Sequence, residues 1–295
     1  MVKYPNLTET QQQNLPALTK PAQQMCAKFE DSTHQLWHCQ TIDGPMVLKL
    51  CNHDTIKTSS FWQGVNSLFA VDFPDSLNQI QQIHTFLSEH GCLTIPEYIA
   101  SEASRYVLVR HIIGDDVDAE TVSDSMVRKL ASHLAQLHRH QLSNWGAFHH
   151  AGFSAKQWSE RLHHTLMTLA ELDPATIPNN ILEQALEQAK KLNLTTFSPI
   201  MLDLRWDQML HQQGQLSAIV DMDAFVIGPR ELELVLLEYQ LNQQQANTFE
   251  QAYQQISDMP ALAEQRYGYR LLLFLMNSLG ETDITKWINA PTWWK

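Results

Sequence analysis

The most informative shortage in this 295-residue sequence is glycine. Ten glycines occur, and none of them precedes Gly44. Phosphate-binding loops of the G-x-x-x-x-G-K and G-x-G-x-x-G types need glycine for tight turns and for close approach of the backbone to phosphate oxygens. Neither pattern is present in the sequence, which excludes P-loop and Rossmann-type nucleotide sites.

Basic residues are also scarce. The chain has 20 Lys and Arg against 32 Asp and Glu, which gives a formal net charge of −12. It contains no basic run that could follow a phosphate backbone, so we expect no nucleic-acid partner. An acidic surface repels ATP at long range but attracts cationic small molecules, so a nucleotide site here would need local cations.

Long apolar runs and paired cysteines are missing too. No run of about 18 apolar residues occurs, and the start MVKYPNLTETQQQ lacks the apolar centre of a secretory signal. The cysteines, none in a C-x-x-C pair, are expected to be reduced, buried thiols; they are Cys26, Cys39, Cys51 and Cys92. These features predict a cytoplasmic protein without a membrane partner. The sequence contains no indication of an oligomeric state.

Residues 1–113 have the pattern of a β-rich region. The runs QMCAKF, HQLWHCQTI and MVLKL alternate with turn signals and predict a three-stranded meander, in which Asp43-Gly44-Pro45 is the firmer turn. A helix is predicted over 77–91, because apolar residues share one face and Gly91 ends it. TIPEYIA and RYVLVRHII predict two more strands, so this first lobe has five strands and one helix after the third.

From about residue 114 onward the pattern is mainly helical. Helices are predicted from Ser125, over 156–172 and 180–192, and again near the C-terminus. They are interrupted by one hairpin, ML to LSAIVDMD, with Gly214 at its turn. The sequence therefore predicts an α+β, two-lobed protein-kinase-like fold with a β-rich lobe at 1–113 and a larger, mainly helical lobe at 114–295.

Three charged residues fall where phosphoryl transfer would need them. Lys49 lies on the third predicted strand, where such folds place the lysine that pairs with nucleotide phosphates. Asp203 precedes Gln208 by five residues, the spacing of a D-L-x-x-x-N loop, and Asp221 ends the second strand of the hairpin. Asp203 could accept the proton of an attacking hydroxyl, while Asp221 and the amide of Gln208 could hold Mg²⁺.

In these motifs the chain resembles the aminoglycoside phosphotransferase and choline kinase-like family, as a divergent member. LDLRWDQML is similar to its H-G-D-L-x-x-x-N loop, AIVDMD to its metal strand, LAQLH to its L-A-x-L-H helix and GPRELEL to its G-D-P-x-x-D-L segment. The resemblance covers roughly residues 25–239, in the family's order. It implies ATP and Mg²⁺ as cofactors and a small-molecule acceptor with a hydroxyl group, bound by the region 143–192 and the C-terminal helices.

The resemblance also implies a set of site residues. Asp203 is the expected catalytic base, and Gln208 and Asp221 are the expected metal ligands. Nucleotide contacts are expected from four residues: Lys49, Ser32 in the phosphate-covering turn, and Arg110 and His111 in the strand RYVLVRHIIG that leads to the hinge.

The chain departs from the family pattern at several of these positions. Met201 and Leu202 stand where the family has His and Gly, and Gln208 replaces Asn. The turn EDST, residues 30–33, is expected to cover the phosphates, and it contains no glycine. The helix 77–91 offers Gln79, Gln81 and Gln82 where an acidic partner for Lys49 is expected. These departures favour an alternative, a catalytically impaired kinase-fold protein that binds a ligand or protein partner without transferring phosphate.

Other polar residues have plainer interpretations. Arg205 is expected either to meet a phosphate or to pair with a nearby acid. His133 and His138 share a helix, but no H-E-x-x-H pattern occurs and zinc is disfavoured. His138 is expected to pack within its helix, and the terminal TWWK to pack against the helical lobe.

Overall fold

A computed structural model describes residues 2–172 and 177–295. Its first sheet has five strands, β1 to β5, which span Gln23–Gln24, His34–Thr41, Gly44–Cys51, Tyr98–Glu102 and Tyr106–Arg110. The strands are antiparallel in the order β1-β2-β3-β5-β4. Four helices accompany this part of the chain; α1 to α4 span Glu9–Gln12, His53–Thr58, Ser60–Phe69 and Ile80–His90.

The rest of the described chain contains seven further strands and seven further helices. Strands β6 to β12 span Asp115–Asp116, Asn144–Ala147, His150–Ser154, Ser198–Met201, Met209–Gln212, Gln215–Ile219 and Phe225–Gly228. Helices α5 to α11 span Asp124–His138, Trp158–Leu172, Asn179–Lys191, Arg230–Gln240, Gln243–Tyr253, Arg266–Leu275 and Ile284–Ile288.

The strands after residue 114 form two small antiparallel sheets. One has the order β11-β10-β6 and contains the predicted hairpin, whose turn residue Gly214 has φ +73°. That backbone conformation suits glycine because it has no Cβ. The other sheet has the order β8-β7-β12-β9 and was not predicted, so the helical region carries more β-structure than the sequence pattern indicates.

The first 113 residues differ from the prediction in one strand and three helices, of which α1 precedes the first sheet. The predicted strand QMCAKF is wrong, since β1 ends at Gln24 and the following residues leave the sheet. Two additional helices, α2 and α3, follow β3. Helix α3 packs against α6, α10, β7 and β12, so its apolar face is buried by elements that come later in the chain. The proposed division at residue 113 stays a prediction.

Alternation along β3 and β5 separates two apolar cores. Met46, Leu48 and Leu50 pack with Tyr106 and Leu108 beneath the N-terminal segment. Val107 and Val109 face the opposite side of the sheet and belong to the large core shared with the helices. Successive side chains of a strand point to opposite faces of the sheet because the backbone is pleated. The same alternation decides which face of the sheet Lys49 of β3 points to.

The predictions for the cysteines and for the C-terminus have different outcomes. All four cysteines are free, but burial is confirmed for Cys39 alone, because Cys26 is exposed and Cys51 and Cys92 are half-buried. The terminal Trp294 is buried and packs against Phe249. None of the helices in the described ranges has the length and apolarity needed to cross a lipid bilayer.

Candidate active site

Lys49 is directed into the cleft by strand alternation. It lies between Leu48 and Leu50, which face the N-terminal core, so its side chain faces the other side of the sheet. The side chain is 9% exposed. Its Nζ lies 2.6 Å from Asp221 Oδ1 and 3.6 Å from Asp223 Oδ2. The buried ammonium therefore has two carboxylate neighbours.

Two backbone hydrogen bonds bring the acidic residues together. The N–H of Leu202 donates to the carbonyl of Ala224 at 3.0 Å, and the N–H of Val220 donates to the carbonyl of Gln208 at 3.0 Å. The loop 202–208, which connects β9 to β10, is thus joined at both ends to the loop 220–224, which follows β11. Asp203 therefore directly follows the first of these bonds, at Leu202, and Asp221 directly follows the second, at Val220.

Asp203 is the most strongly perturbed group of the 202–208 loop. Burial raises the pKa of its carboxyl to about 7; Arg205 opposes this rise, and the carboxylates of Asp221 and Asp207 add to it. Gln208 Nε2 donates to Asp203 Oδ2 at 3.1 Å. A carboxylate whose pKa lies near neutral pH is suited to accept a proton from a substrate hydroxyl.

The neighbouring carboxylates are perturbed in opposite directions. Burial opposes ionisation of Asp221, but the Lys49 ammonium outweighs it and holds the pKa of Asp221 well below its usual range. Burial raises the pKa of Asp223 to about 7, against the attraction of Lys49. Burial also opposes the charge of Lys49, yet the two carboxylates raise its pKa above the ordinary value. At neutral pH the pair Lys49–Asp221 is therefore fully ionised.

A buried network supports the 202–208 loop from below. The N–H of Met201 donates to Glu233 Oε1 at 2.6 Å, and Glu233 Oε2 lies 2.7 Å from His138 Nε2. His138 Nδ1 lies 2.8 Å from the hydroxyl of Tyr253. Because this carboxylate holds the backbone at Met201, the loop has support although Met201 replaces the family's histidine. His138 thus does more than pack within its helix, which sequence reasoning missed.

Four other residues from the sequence analysis have partners within the protein. Arg205 pairs with Asp207 through bonds of 3.0 and 3.1 Å, which agrees with the second of its two alternatives, pairing with a nearby acid. The Ser32 hydroxyl donates to the carbonyl of Phe29 at 2.7 Å. Arg110 donates to Glu97 at 2.7 Å, and the ring of His111 packs edge-on against His38.

All seven predicted site residues line one cavity of about 750 Å³, which we call the cleft. Its apolar lining includes Val47, Val109 and Leu210 near the hinge. The opposite end is lined by α2, the start of α3 and residues 276–278 after α10. Within the part of the chain that the structure describes, residues 143–192 do not contribute to this lining.

Comparison with known proteins identifies the family. Residues 30–265 match the model of the phosphotransferase enzyme family, called APH. The chain belongs to this family. Its motif residues Lys49, Asp203, Gln208 and Asp221 all lie within the matched range, as does the Glu233 network. A search of curated protein sequences finds no match.

Several solved structures have a similar fold but are distant in sequence. The macrolide 2'-phosphotransferase MphH of Brachybacterium faecium is 14% identical with a TM-score of 0.56, over 92% of each chain. A fructosamine-3-kinase described as putative, from Haemophilus somnus 129PT, is 13% identical with a TM-score of 0.60, over 88% of this chain and 84% of that one. APH(2")-IIa in complex with streptomycin and ATP is 13% identical with a TM-score of 0.59, over 92% of each chain. These likenesses confirm the two-lobed protein-kinase-like fold.

The donor set at the cleft fits a magnesium ion. Asp221 offers an ionised carboxylate that is 31% exposed, and Gln208 offers an amide oxygen from the adjoining loop. Within the described ranges, no group of three His, Cys, Asp or Glu side chains is arranged to hold a metal ion alone. Mg²⁺ is commonly held by one or two protein carboxylates together with substrate phosphates. Two protein ligands would therefore be enough if nucleotide phosphates supplied the others.

Proposed function

We propose that the protein is an ATP- and Mg²⁺-dependent phosphotransferase that acts on a hydroxyl group of a small molecule. The observation that carries the proposal is the convergence of Lys49, Asp203 and Asp221 in one cleft, from strands and loops distant in sequence. Family membership supports a small-molecule phosphotransferase, and one structure of similar fold, that of APH(2")-IIa, is a complex with streptomycin and ATP.

In this proposal each residue has one task. Lys49 offsets the charge of the nucleotide phosphates, and the Ser32 turn covers them. Arg110 and His111, at the hinge end of the same cleft, contact the base. Asp221 and the amide oxygen of Gln208 would hold Mg²⁺, which supplies charge neutralisation to the phosphates when bound.

Asp203 orients the acceptor and takes its proton. The acceptor oxygen forms a bond to the γ-phosphorus, the bond from that phosphorus to the bridging oxygen breaks, and ADP leaves with the electron pair. The proton of the hydroxyl passes to an Asp203 oxygen. Arg205 and Gln208, at 3.5 and 3.1 Å from Asp203, fix its orientation.

Nucleotide-dependent thermal stability tests the proposal. ATP with Mg²⁺ at a hundred times its Kd should add about 2.7 kcal/mol to the free energy of unfolding. Asp221→Ala should remove the Mg²⁺ dependence of this shift. Asp203→Ala should keep the shift but lose phosphate transfer to any acceptor that the wild type uses. Absence of a shift with ATP or GTP would refute the proposal.

The alternative of a non-transferring kinase-fold protein makes a different prediction. It allows a nucleotide shift in the wild type but no transfer of γ-phosphate to any acceptor. The Gln208→Asn variant separates the two cases, because it restores the shorter amide of the family motif. A gain of transfer activity in this variant alone would support an impaired wild-type enzyme.

A further inference from the structure

Asp221 and Asp223 share the ammonium of Lys49 but differ in their access to the cleft. The Asp221 side chain is 31% exposed, whereas that of Asp223 is 4% exposed. Both oxygens of Asp223 are buried without a hydrogen-bond donor. Lys49 Nζ and His34 Nδ1 each lie 3.6 Å from its Oδ2, and Asp221 is a further polar neighbour. Both aspartates line the cleft, but Asp221 is the more accessible carboxylate.

Helix α4 does not supply a carboxylate to Lys49. Its inward face carries Ile80, Ile83, His84 and Leu87, and His84 Nδ1 lies 2.7 Å from the carbonyl of Pro96. The side chains of Gln79 and Gln82 hydrogen-bond to each other at 2.8 Å. In the described ranges, the carboxylates within 4.0 Å of Lys49 Nζ are those of Asp221 and Asp223.

Binding of Mg²⁺ by Asp221 would therefore change the charge balance around Lys49. This step rests on the proposed function. If Asp221 turned to a metal ion, Lys49 would lose its nearest anion, and a buried charge without a partner is strongly unfavourable. Asp223 remains within reach of the ammonium. Asp223 also lines the cleft, but its side chain is only 4% exposed, so it is less accessible to an incoming ion than Asp221.

His34 does not compete with Lys49 for this carboxylate as a cation. Burial, followed by the repulsion of Lys49, lowers the pKa of His34 to about 4, so its ring is neutral at neutral pH. Among the described residues, Lys49 is then the one cation within 4.0 Å of Asp223, and its other charged neighbour, Asp221, is an anion.

We propose that Asp223 is the positioning residue that holds Lys49 in the cleft when Asp221 binds metal. It takes the place of the acidic partner that helix α4 lacks. Asp221 and Asp223 thereby divide two tasks, in that one binds the ion and the other fixes the lysine. Asp223 acts through Lys49 and does not touch the nucleotide.

Nucleotide binding with and without Mg²⁺ separates this role from metal ligation. The variants are Asp223→Asn, Asp221→Asn and the control Asp115→Asn, which removes an exposed carboxylate outside the lining of the cleft. Titration of ATP is followed by thermal shift, once with Mg²⁺ and once with EDTA. With Mg²⁺, Asp223→Asn should weaken binding by about tenfold, or about 1.4 kcal/mol, and excess Mg²⁺ should not restore it. With EDTA the loss should be smaller, because Asp221 can then still pair with Lys49. Asp221→Asn should lose only the Mg²⁺-dependent part, and Asp115→Asn should match the wild type.

Two outcomes would overturn the proposal. Wild-type ATP binding by Asp223→Asn in Mg²⁺ would show that Asp223 does not position Lys49. Restoration of its ATP binding by excess Mg²⁺ would make Asp223 a metal ligand instead. Asp223→Glu provides a rescue, because it retains the charge and should recover a larger share of the ATP binding in Mg²⁺ than Asn does.

A structure of the nucleotide-free Asp221→Asn variant gives a readout that does not depend on the proposed function. Lys49 Nζ should move into hydrogen-bonding distance of Asp223 in this variant. If Lys49 turns toward solvent, the positioning role is refuted. If wild type fails to bind any nucleotide while this contact forms, the proposed function is wrong and the Lys49–Asp223 pairing stands.

Discussion

Two buried ionic clusters in this protein are built in opposite ways. In the helical region, Glu238 accepts hydrogen bonds from Arg266 at 2.8 Å and Arg270 at 3.1 Å. Its other oxygen accepts from the backbone N–H groups of Trp293 and Trp294 at 2.9 and 3.1 Å. Each carboxylate oxygen of Glu238 thus accepts at least two hydrogen bonds. The cluster connects α8, α10 and the C-terminal segment.

The cleft contains the contrasting cluster. Two carboxylates, those of Asp221 and Asp223, lie around Lys49, and Asp203 is influenced by Asp221 and Arg205. Both oxygens of Asp223 have no hydrogen-bond donor. Burial raises the pKa values of Asp203 and Asp223 to about 7, against the attraction of Arg205 and Lys49 respectively. A fully paired cluster satisfies its own charges, whereas buried acids with raised pKa values are typical of sites that bind a ligand.

The largest expected effect comes from removing the carboxylate of the satisfied cluster. Glu238→Gln leaves Arg266 and Arg270 buried without an anion, so the free energy of unfolding should fall by about 3–5 kcal/mol. Denaturant unfolding monitored by circular dichroism measures the change. Glu9→Gln, which removes an exposed partner of Lys3, is the matched control and should leave stability unchanged. Equal stability of the two variants would contradict the structural role of Glu238.

The parts of the cleft that could be predicted from sequence are those fixed by local rules. Lys49 points into the cleft because successive side chains of β3 point to opposite faces of the sheet. Asp203 and Asp221 follow strand ends, in the order that the family motifs have along the chain. The hairpin turn at Gly214 was predicted because glycine suits its positive φ. In each case neighbours along the chain determine the outcome, so the residue pattern is sufficient.

The missed parts depend on contacts between distant segments. Lys49 and Asp221 are 172 positions apart, and the role of Asp223 follows from its burial beside that pair. The spacing D-M-D, residues 221–223, was a signal that a second carboxylate could reach the same site. The sheet of β7, β8, β9 and β12 was missed because its strands are four or five residues long, and short apolar runs do not reveal their type or partners.

An intermediate effect, a gain in stability, is expected from a substitution in the cleft. Asp203→Asn mimics the protonated carboxyl, so it removes the penalty of a buried negative charge and should stabilise the nucleotide-free protein by about 1–2 kcal/mol above pH 8. The pKa of Asp203 is raised on folding, so the unfolded chain loses this proton first as pH rises from about 4, and wild-type stability decreases until about pH 7.

Thermal unfolding in EDTA at several pH values checks this sign. The melting temperature of Asp203→Asn should approach that of the wild type near pH 4 and exceed it most above pH 8. Asp207→Asn serves as a comparison at the same loop, because Asp207 forms two hydrogen bonds with Arg205 and its removal should not stabilise. A lower melting temperature for Asp203→Asn at alkaline pH would show that the loop needs this charge.

The smallest effect is expected at the exposed rim of the cleft. Lys28 lies in the segment that leaves β1, and its Nζ contacts Asp116 Oδ2 at 2.9 Å and the carbonyl of Asp207 at 2.6 Å. Because Lys28 and Asp116 are 43% and 55% exposed, solvent screens the pair, and Lys28→Ala should cost at most about 1 kcal/mol. Lys28 also lines the cleft, so its loss should change ATP entry more than stability. We expect the rate of ATP association, measured by stopped-flow, to fall in Lys28→Ala at low salt, because a cation is lost from an acidic protein. The rate should converge with that of the wild type at 0.5 M salt, where about 4 Å of screening length remains. An unchanged association rate at low salt would show that Lys28 does not assist the entry of ATP.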